Sequence, residues 1–379
     1  MSHQTKREYL AAIRGRYQRA GRRHKSKILD EFCAVCGYAR KYAIRLLHRP
    51  LAGPRRRPGP KPKYQGEVVR VIKEIWRLSE WMCSKRLKAA LPLWLPYYEQ
   101  HHEPLPASTR RLVLQISPAA IDRVLHPARA RLQGRGRSGT RAALNLKLSI
   151  PIRRGTHRAD RPGLLEMDTV PHCGDHLDGN FAWSLTGTDL CTQWTENRAV
   201  WNKGATDVLR QIDDIEAQLP FDLWGIDVDS GTEFLNHHLY RYCRQHHPPV
   251  ELTRSRPAYK NDQAHVEQKN FTHVRLLLGY HRIEQPELVP AINTLYRLWN
   301  TFHNFFCPTL KLLSKKRVGT RVIRRYTRPK TPYQRVMASP HVPPQTKAQL
   351  QARLATLDPF ALKEQIEHQL QFVLHHLQP

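Results

Sequence analysis

GIDVDSGTEFLN, residues 225–236, places two aspartates, Asp227 and Asp229, at the end of a short apolar run that reads as a buried strand. Ser230-Gly231 allows a tight turn directly into a helix starting around Glu233, so Asp229 stands at the strand's rim. Asp227 lies two residues earlier, on the same side of the strand but further in. Crevices at the carboxyl ends of strands are where open α/β sheets bind ligands. Asp229 is therefore the candidate for chemistry, and Asp227 is better suited to a supporting hydrogen bond.

The surrounding residues, from Gly163 on, alternate short apolar runs with turn-forming residues. GLLEMDTV, NFAWSLTGTDL and TQWTENRAVW read as three hairpin-connected strands. GATDVLRQIDDIEAQL then reads as a helix, LWGIDVD as a fourth strand, TEFLNHHLYRYCRQHH as a helix and VELTRS as a fifth strand. QAHVEQKNFTHVRLLLGY closes the series as another helix. This order predicts an α/β fold, a mixed five-stranded sheet with helices on both faces. Two more carboxylates take informative places: Asp168 in the first strand and Glu267 in the first turns of the last helix. Sixty residues separate Asp168 from Asp229, and 37 separate Asp229 from Glu267. Glu166, like Asp227, precedes a favoured aspartate by two and shares its face.

The acids are concentrated here against the trend of the chain, whose formal net charge is +30. Between residues 161 and 253 there are 15 acidic and 6 basic residues, a net −9, so the rest carries +39. Basic flanks imply a polyanionic partner, by default nucleic acid. An acidic centre inside them suits an enzyme that binds cations and excludes a merely basic ribosomal protein.

The flanks divide by composition. Residues 1–52 predict helices, with SKILDEFCAVCGYARKYAIRLLH reading as helix, turn at Gly37, helix. Ile28, Leu29, Phe32 and Cys33 form one apolar stripe and Tyr42, Leu46 and Leu47 the other. This pattern is similar to a helix-turn-helix, whose second helix would show Arg40, Lys41 and Arg45 to DNA. Cys33 and Cys36 lack the partners of a four-ligand zinc site, so they read as structural. Residues 53–66 are a basic Pro/Gly linker whose Arg55, Arg56 and Arg57 suit a phosphate backbone. Residues 67–126 form a second helical region that resembles a second DNA-binding helix-turn-helix, in which Ser117 caps a helix opened by Pro118. Residues 127–162 are a second basic linker, 163–305 the sheet-bearing core and 306–379 a basic C-terminal region. Within that last region, KKRVGTRVIRRYTRPKTPYQRV reads either as a small β module or as an extended arm on DNA. Leu362, Ile366, Leu370 and Leu374 then recur every fourth residue, a stripe for docking internally or on a second subunit.

The motifs EMDT, DSGTEF and RSRPAYKNDQAHVEQKNFTHVR, around Asp168, Asp229 and Glu267, resemble those of DDE transposases and integrases of the retroviral-integrase superfamily. The resemblance spans about residues 164–305, and the helical front is similar to that of bacterial insertion-sequence transposases. Two departures fall in one loop: the last spacing is slightly longer than in retroviral integrases, and Asp262 stands where some relatives carry Gly. The resemblance implies an RNase H-like fold with Asp168, Asp229 and Glu267 as catalytic, metal-holding acids. It implies two Mg²⁺ (or Mn²⁺) ions with DNA bound, Asp168 bridging them, Asp229 holding one and Glu267 the other. Water on one ion would first release a 3′-OH, which would then attack target DNA. Arg254, Arg256 and Lys260, in the loop before Glu267, would hold phosphates near the scissile bond. The expected partners are double-stranded DNA, both element terminal inverted repeats and target, and further copies of the chain in an oligomer that pairs two DNA ends.

Two other readings use the same features: an RNase H-like nuclease or resolvase that cuts without joining, and a non-catalytic transposase-derived DNA-binding regulator. The presence of all three acids weighs against the regulator. Seven scattered cysteines fit reduced thiols, and no segment reads as a signal peptide or membrane span, so a cytoplasmic location with no membrane partner is expected.

Overall fold

The computed structural model describes residues 1–49, 63–130, 160–229, 234, 237–255 and 263–377. These residues belong to two compact units, 1–63 and 64–379. Arg55, Arg56, Arg57, Arg256, Lys260 and the Ser230-Gly231 turn lie outside the described residues.

The first unit is three helices, α1 (His3–Arg19), α2 (Arg22–Cys36) and α3 (Arg40–His48). Gly37 ends α2 in the left-handed region, φ +67°, where its amide reaches back to Cys33 O at 2.8 Å. The core is Leu10, Ile13, Tyr17, Ile28, Leu29, Phe32, Cys36, Ala43 and Leu47. Two expected core positions are corrected. Cys36 is buried in place of the half-buried Cys33, and Ala43 is buried in place of Tyr42, which is exposed. Ala43 and Leu47 are four residues apart and therefore share the face that meets α1 and α2.

The second unit opens with α4 (Gly66–Leu78), α5 (Ser84–His101), α6 (Ala107–Gln115) and α7 (Pro118–Ala130). Ser117 accepts from the Ala120 amide at 3.2 Å, the expected cap of α7. Next come β1 (Leu164–Pro171), β2 (Ala182–Asp189), β3 (Thr195–Trp201), α8 (Ala205–Glu216), β4 (Gly225–Val228), α9 (His237–Gln245) and β5 (Glu251–Arg254). Helix α10 (Ala264–Lys269) widens into a π-helical stretch, Asn270–Arg275, and ends in α11 (Leu276–Leu278). After α12 (Leu288–Phe306) come the hairpin β6 (Leu312–Val318) and β7 (Arg321–Tyr326) and the helices α13 (Pro332–Ala338), α14 (Pro344–Ala355) and α15 (Pro359–His375).

The sheet is mixed, ordered β3-β2-β1-β4-β5. β1 pairs antiparallel with β2, and β2 with β3, while β1, β4 and β5 run parallel. Alternation along each strand sorts the side chains onto two unlike faces. One is apolar: Leu165, Met167, Leu185, Val200, Ile226, Val228 and Leu252 pack on Val208, Ile212 and Ile215 of α8 and on Leu239 and Cys243 of α9. The other is polar. One row across the five strands is Thr195, Thr188, Glu166, Asp227 and Thr253; the next is Asn197, Thr186 and Asp168. Hydrogen bonds knit these rows, from Thr253 Oγ1 to Asp227 Oδ1 at 2.6 Å and from Asn197 Nδ2 to Thr186 Oγ1 at 2.8 Å.

An edge strand needs a cover, because its outer amides and carbonyls are otherwise unpaired. Helix α12 covers β3 with asparagines. Asn304 pairs with both backbone groups of Thr195 (3.0 and 2.9 Å), and Asn293 pairs with both of Ala199 (2.7 and 3.0 Å). Asn300 Nδ2 donates to Asn197 O at 3.3 Å and to Glu196 Oε2 at 2.9 Å. A carboxamide can offer the donor and the acceptor that a neighbouring strand would. Asn304→Leu therefore leaves the Thr195 amide and carbonyl buried without partners. It is expected to cost about 2–4 kcal/mol in urea unfolding, whereas Asn304→Gln at no cost would dismiss the bidentate geometry as incidental.

The apolar side of α12 buries Leu288, Ile292, Leu295, Trp299 and Phe302 and half-buries Leu298. Helix α15 docks internally, and Phe360, Leu362, Ile366 and Val373 are its buried residues, with Leu370 and Leu374 only partly covered. Trp94 of α5 lies 5.8 Å, ring centre to ring centre, from both Phe302 and Phe360. Residues 67–126, expected as a separate region, thus share one core with α12 and α15.

Among the described residues three histidines are buried in this unit. His172, hydrogen-bonded to Ser184 Oγ at 2.7 Å, has its pKa pushed down to about 3 by burial and then by Arg275. His273 and His303 are held well below the usual histidine value by burial and then by Lys269. Each folded pKa lies below the unfolded value near 6.5, so the unfolded chain takes up these protons first. Stability is complete above pH 6.5 and is lost as pH falls towards the folded pKa values. His172→Gln should flatten the dependence of unfolding free energy on pH between 6 and 5 by about 1 kcal/mol per unit. Identical slopes for the two proteins would refute the burial effect.

Candidate active site

Parallel pairing of β1 with β4 sets Glu166 opposite Asp227 and Met167 opposite Val228. The next residues on the two chains are Asp168 and Asp229. The two favoured acids therefore leave the sheet at one level, from neighbouring strands about 5 Å apart. Glu166, Asp168 and Asp227 are on the polar face, Asp229 follows directly after β4, and the four differ in depth. Glu166 (1% exposed) and Asp227 (0%) are buried, while Asp168 and Asp229 at the rim are half-buried.

Helix α10 lies over this face, fastened at two points. The Val266 amide donates to Glu166 Oε2 at 3.2 Å, and Asn270 Nδ2 donates to Asp168 Oδ2 at 2.6 Å. Asp168 Oδ1 also accepts from the Thr169 amide at 2.8 Å. The helix thus runs in the same direction as β1, with Val266, Lys269 and Asn270 turned inward and buried. Burial, then Arg86 and Arg335, push the Lys269 ammonium down to about 7. Glu267 is exposed and stands between the two fastening points. The π-helical stretch begins at Asn270, the residue that holds Asp168. Such widened turns recur where a helix must aim a side chain into a site.

The structure brings Asp168 and Asp229 to a shared rim and sets Glu267 on the overlying helix. It does not close the three into one cluster: among the described residues no group of three or more His, Cys, Asp or Glu is placed to hold a metal ion. The donor chemistry of the rim pair still fits a hard divalent cation, since both supply carboxylate oxygens beside a crevice.

Arg254 corrects an expectation. Expected to hold phosphates from the loop before Glu267, it is the last residue of β5, the strand expected from VELTRS, and at 6% exposure it is buried. In the first unit, Lys41 and Arg45 are exposed on α3, whereas Arg40 is drawn back to α2 by an ion pair with Asp30 and a hydrogen bond to Ser26 Oγ at 2.9 Å. The outward face of α3 adds Tyr42, with the Arg45 guanidinium 5.1 Å from its ring centre.

Sequence reasoning missed Asn270 and the threonine rows. Asn270 was discoverable, because a polar residue three positions after Glu267 shares its side of a helix. Ser184, Thr186 and Thr188 alternate along β2 and mark a polar face that the apolar runs concealed.

No family model matches the chain. Among solved structures, the catalytic core domain of BIV integrase aligns with 14% identity and a TM-score of 0.29, over 45% of this chain and 91% of that one. Over 339 residues the chain is 37% identical to "Uncharacterized protein y4rM" of Sinorhizobium fredii (strain NBRC 101917 / NGR234), covering 88% of this chain and 96% of that protein. An identity of this size over nearly the full length of both leaves one conclusion: the chain belongs to the same family as the y4rM protein of Sinorhizobium fredii.

Proposed function

We propose that this protein is a DNA transposase or integrase of the DDE type, on an RNase H-like core, that cleaves DNA ends and joins them to target DNA. The observation that carries the reading is that Asp168 and Asp229 directly follow Met167 and Val228, the last paired residues of the adjacent strands β1 and β4, at the rim of a polar sheet face. A helix bearing Glu267 is fastened over that face. The motif resemblance around the same three residues and the basic flanks support it.

Asp168, Asp229 and Glu267 would hold Mg²⁺ or Mn²⁺, which when bound supplies an activated oxygen nucleophile and charge stabilisation at the scissile phosphate. The chain's own residues set the stage. Asn270 orients Asp168, Glu166 fixes the height of α10 above β1, and the apolar packing under β1 and β4 holds both strands in register. The exposed face of α3 and the basic linkers would bind the duplex along its phosphates. Two DNA ends must meet for joining, which calls for at least a dimer.

The test uses the full chain with Mg²⁺ or Mn²⁺, duplexes carrying the DNA sequences on either side of its gene, and supercoiled plasmid as target. Strand cleavage leaving a 3′-OH, followed by covalent joining to the plasmid, is expected. Nicked DNA without any joined product would replace this reading by the nuclease one; no metal-dependent change in either DNA would reject both.

A further inference from the structure

Among the described residues strands β6 and β7 pair only with each other, as a sheet apart from the five-stranded one. Gly319 (φ +59°) and Thr320 turn the chain between them. Every position of the two strands except Ser314 is exposed. A two-stranded hairpin is marginally stable in water at best, and this one presents Val318 (60% exposed) and Ile323 (50%) to solvent. Six of its residues are basic and none is acidic: Lys315, Lys316, Arg317, Arg321, Arg324 and Arg325. Among the described residues none of the six is in an ion pair.

The register sorts these cations evenly. Val318 opposes Arg321, Lys316 opposes Ile323 and Ser314 opposes Arg325, which puts Lys316, Arg321 and Arg325 on one face. Arg317 opposes Val322 and Lys315 opposes Arg324, which puts Lys315, Arg317 and Arg324 on the other. A hairpin lying flat along one phosphate backbone needs charge on one face only. Three cations on each face suit a place with phosphates on both sides, which is a groove.

We infer that the β6–β7 hairpin is a ribbon that enters a groove of B-form DNA, its two cationic faces set against the two phosphate walls. The dimensions agree. Sheets stack about 10 Å apart face to face, which sets the thickness of a strand layer with its side chains, and the major groove of B-DNA, about 12 Å wide, admits a two-stranded ribbon. A-form RNA closes that groove to side chains. Val318, Val322 and Ile323 bring apolar contact to sugars and thymine methyls. The inference rests on DNA being the substrate, and it assigns part of the grip to a segment distant in sequence from the three acids.

The test measures binding of the full chain to a 30-bp mixed-sequence duplex in EDTA across a salt series, so that no catalytic step enters. Substituting all six cations by Gln should lower the slope of log affinity against log salt by up to about five. Affinity near 100 mM salt should fall at least a hundredfold, with an unchanged thermal midpoint because the hairpin contributes no core. Each face trio alone, K316Q/R321Q/R325Q or K315Q/R317Q/R324Q, should give about half the slope change. A wild-type chain that does not bind duplex DNA would overturn the proposed function. Strong binding indifferent to the six substitutions would overturn the hairpin assignment alone. Loss confined to one trio, or stronger competition by an RNA duplex than by DNA, would overturn the groove placement.

Discussion

Asp229→Asn should lower DNA cleavage and joining by about a thousandfold or more, roughly 4 kcal/mol on the barrier, and leave duplex binding unchanged. The argument is local. Asp229 ends on the rim beside Asp168, half-buried, where a carboxylate can share a cation with a phosphate from the crevice. Asparagine keeps the shape and one acceptor oxygen but removes the charge that a hard divalent ion requires. Asp168→Asn and Glu267→Gln should behave alike, since the three are expected to act as one unit. Asp227→Asn is the informative control. Asp227 is fully buried one row below and accepts from Thr253 Oγ1. Its substitution is expected to show mainly as a loss of stability of about 1–3 kcal/mol, with joining retained in the folded fraction. Single-turnover joining rates and urea midpoints, measured on both variants, separate the two positions. An active Asp229→Asn beside a stable but inactive Asp227→Asn would exchange the roles and sink the assignment.

Much of this arrangement was legible because strand alternation is a local code. In LLEMDT the apolar Leu165 and Met167 alternate with Glu166 and Asp168, so one face must be core and the other polar. The same alternation in GIDVD gives β4, and parallel pairing with β1 follows from the intervening helix. What stayed hidden depends on contacts between distant segments. Asn293, Asn300 and Asn304 look like polar interruptions of an apolar helix until β3 is known to be an edge. Arg254 could be placed in a loop or at a strand end with equal local sense, and burial decided it. Tyr42 and Ala43 are neighbours whose roles exchange with a rotation of α3 by one residue, which only the packing of α1 and α2 resolves.

Glu166→Ala, finally, is expected to reduce joining about 10- to 100-fold although Glu166 touches neither metal nor DNA in the proposed mechanism. Its Oε2 receives the Val266 amide, and Val266 immediately precedes Glu267. Removing this acceptor leaves a buried amide unpaired, which costs about 1–3 kcal/mol, and frees the start of α10 to ride up from β1. A displacement of about 1 Å suffices for a loss of this size when reacting groups must be held in line. The substitution also removes a negative charge one row from Asp168 and Asp229, so more Mg²⁺ should be needed for half-maximal rate. Glu166→Gln separates the two effects. Its amide oxygen can still accept from Val266, so the rate at saturating Mg²⁺ should return, while the raised Mg²⁺ requirement should persist. A merely structural glutamate predicts otherwise: lower thermal stability, with metal dependence and per-molecule rate unmoved. Should Glu166→Gln be as slow as Glu166→Ala in saturating Mg²⁺, the hydrogen bond to α10 would lose its positioning role, and the charge alone would have to account for the defect.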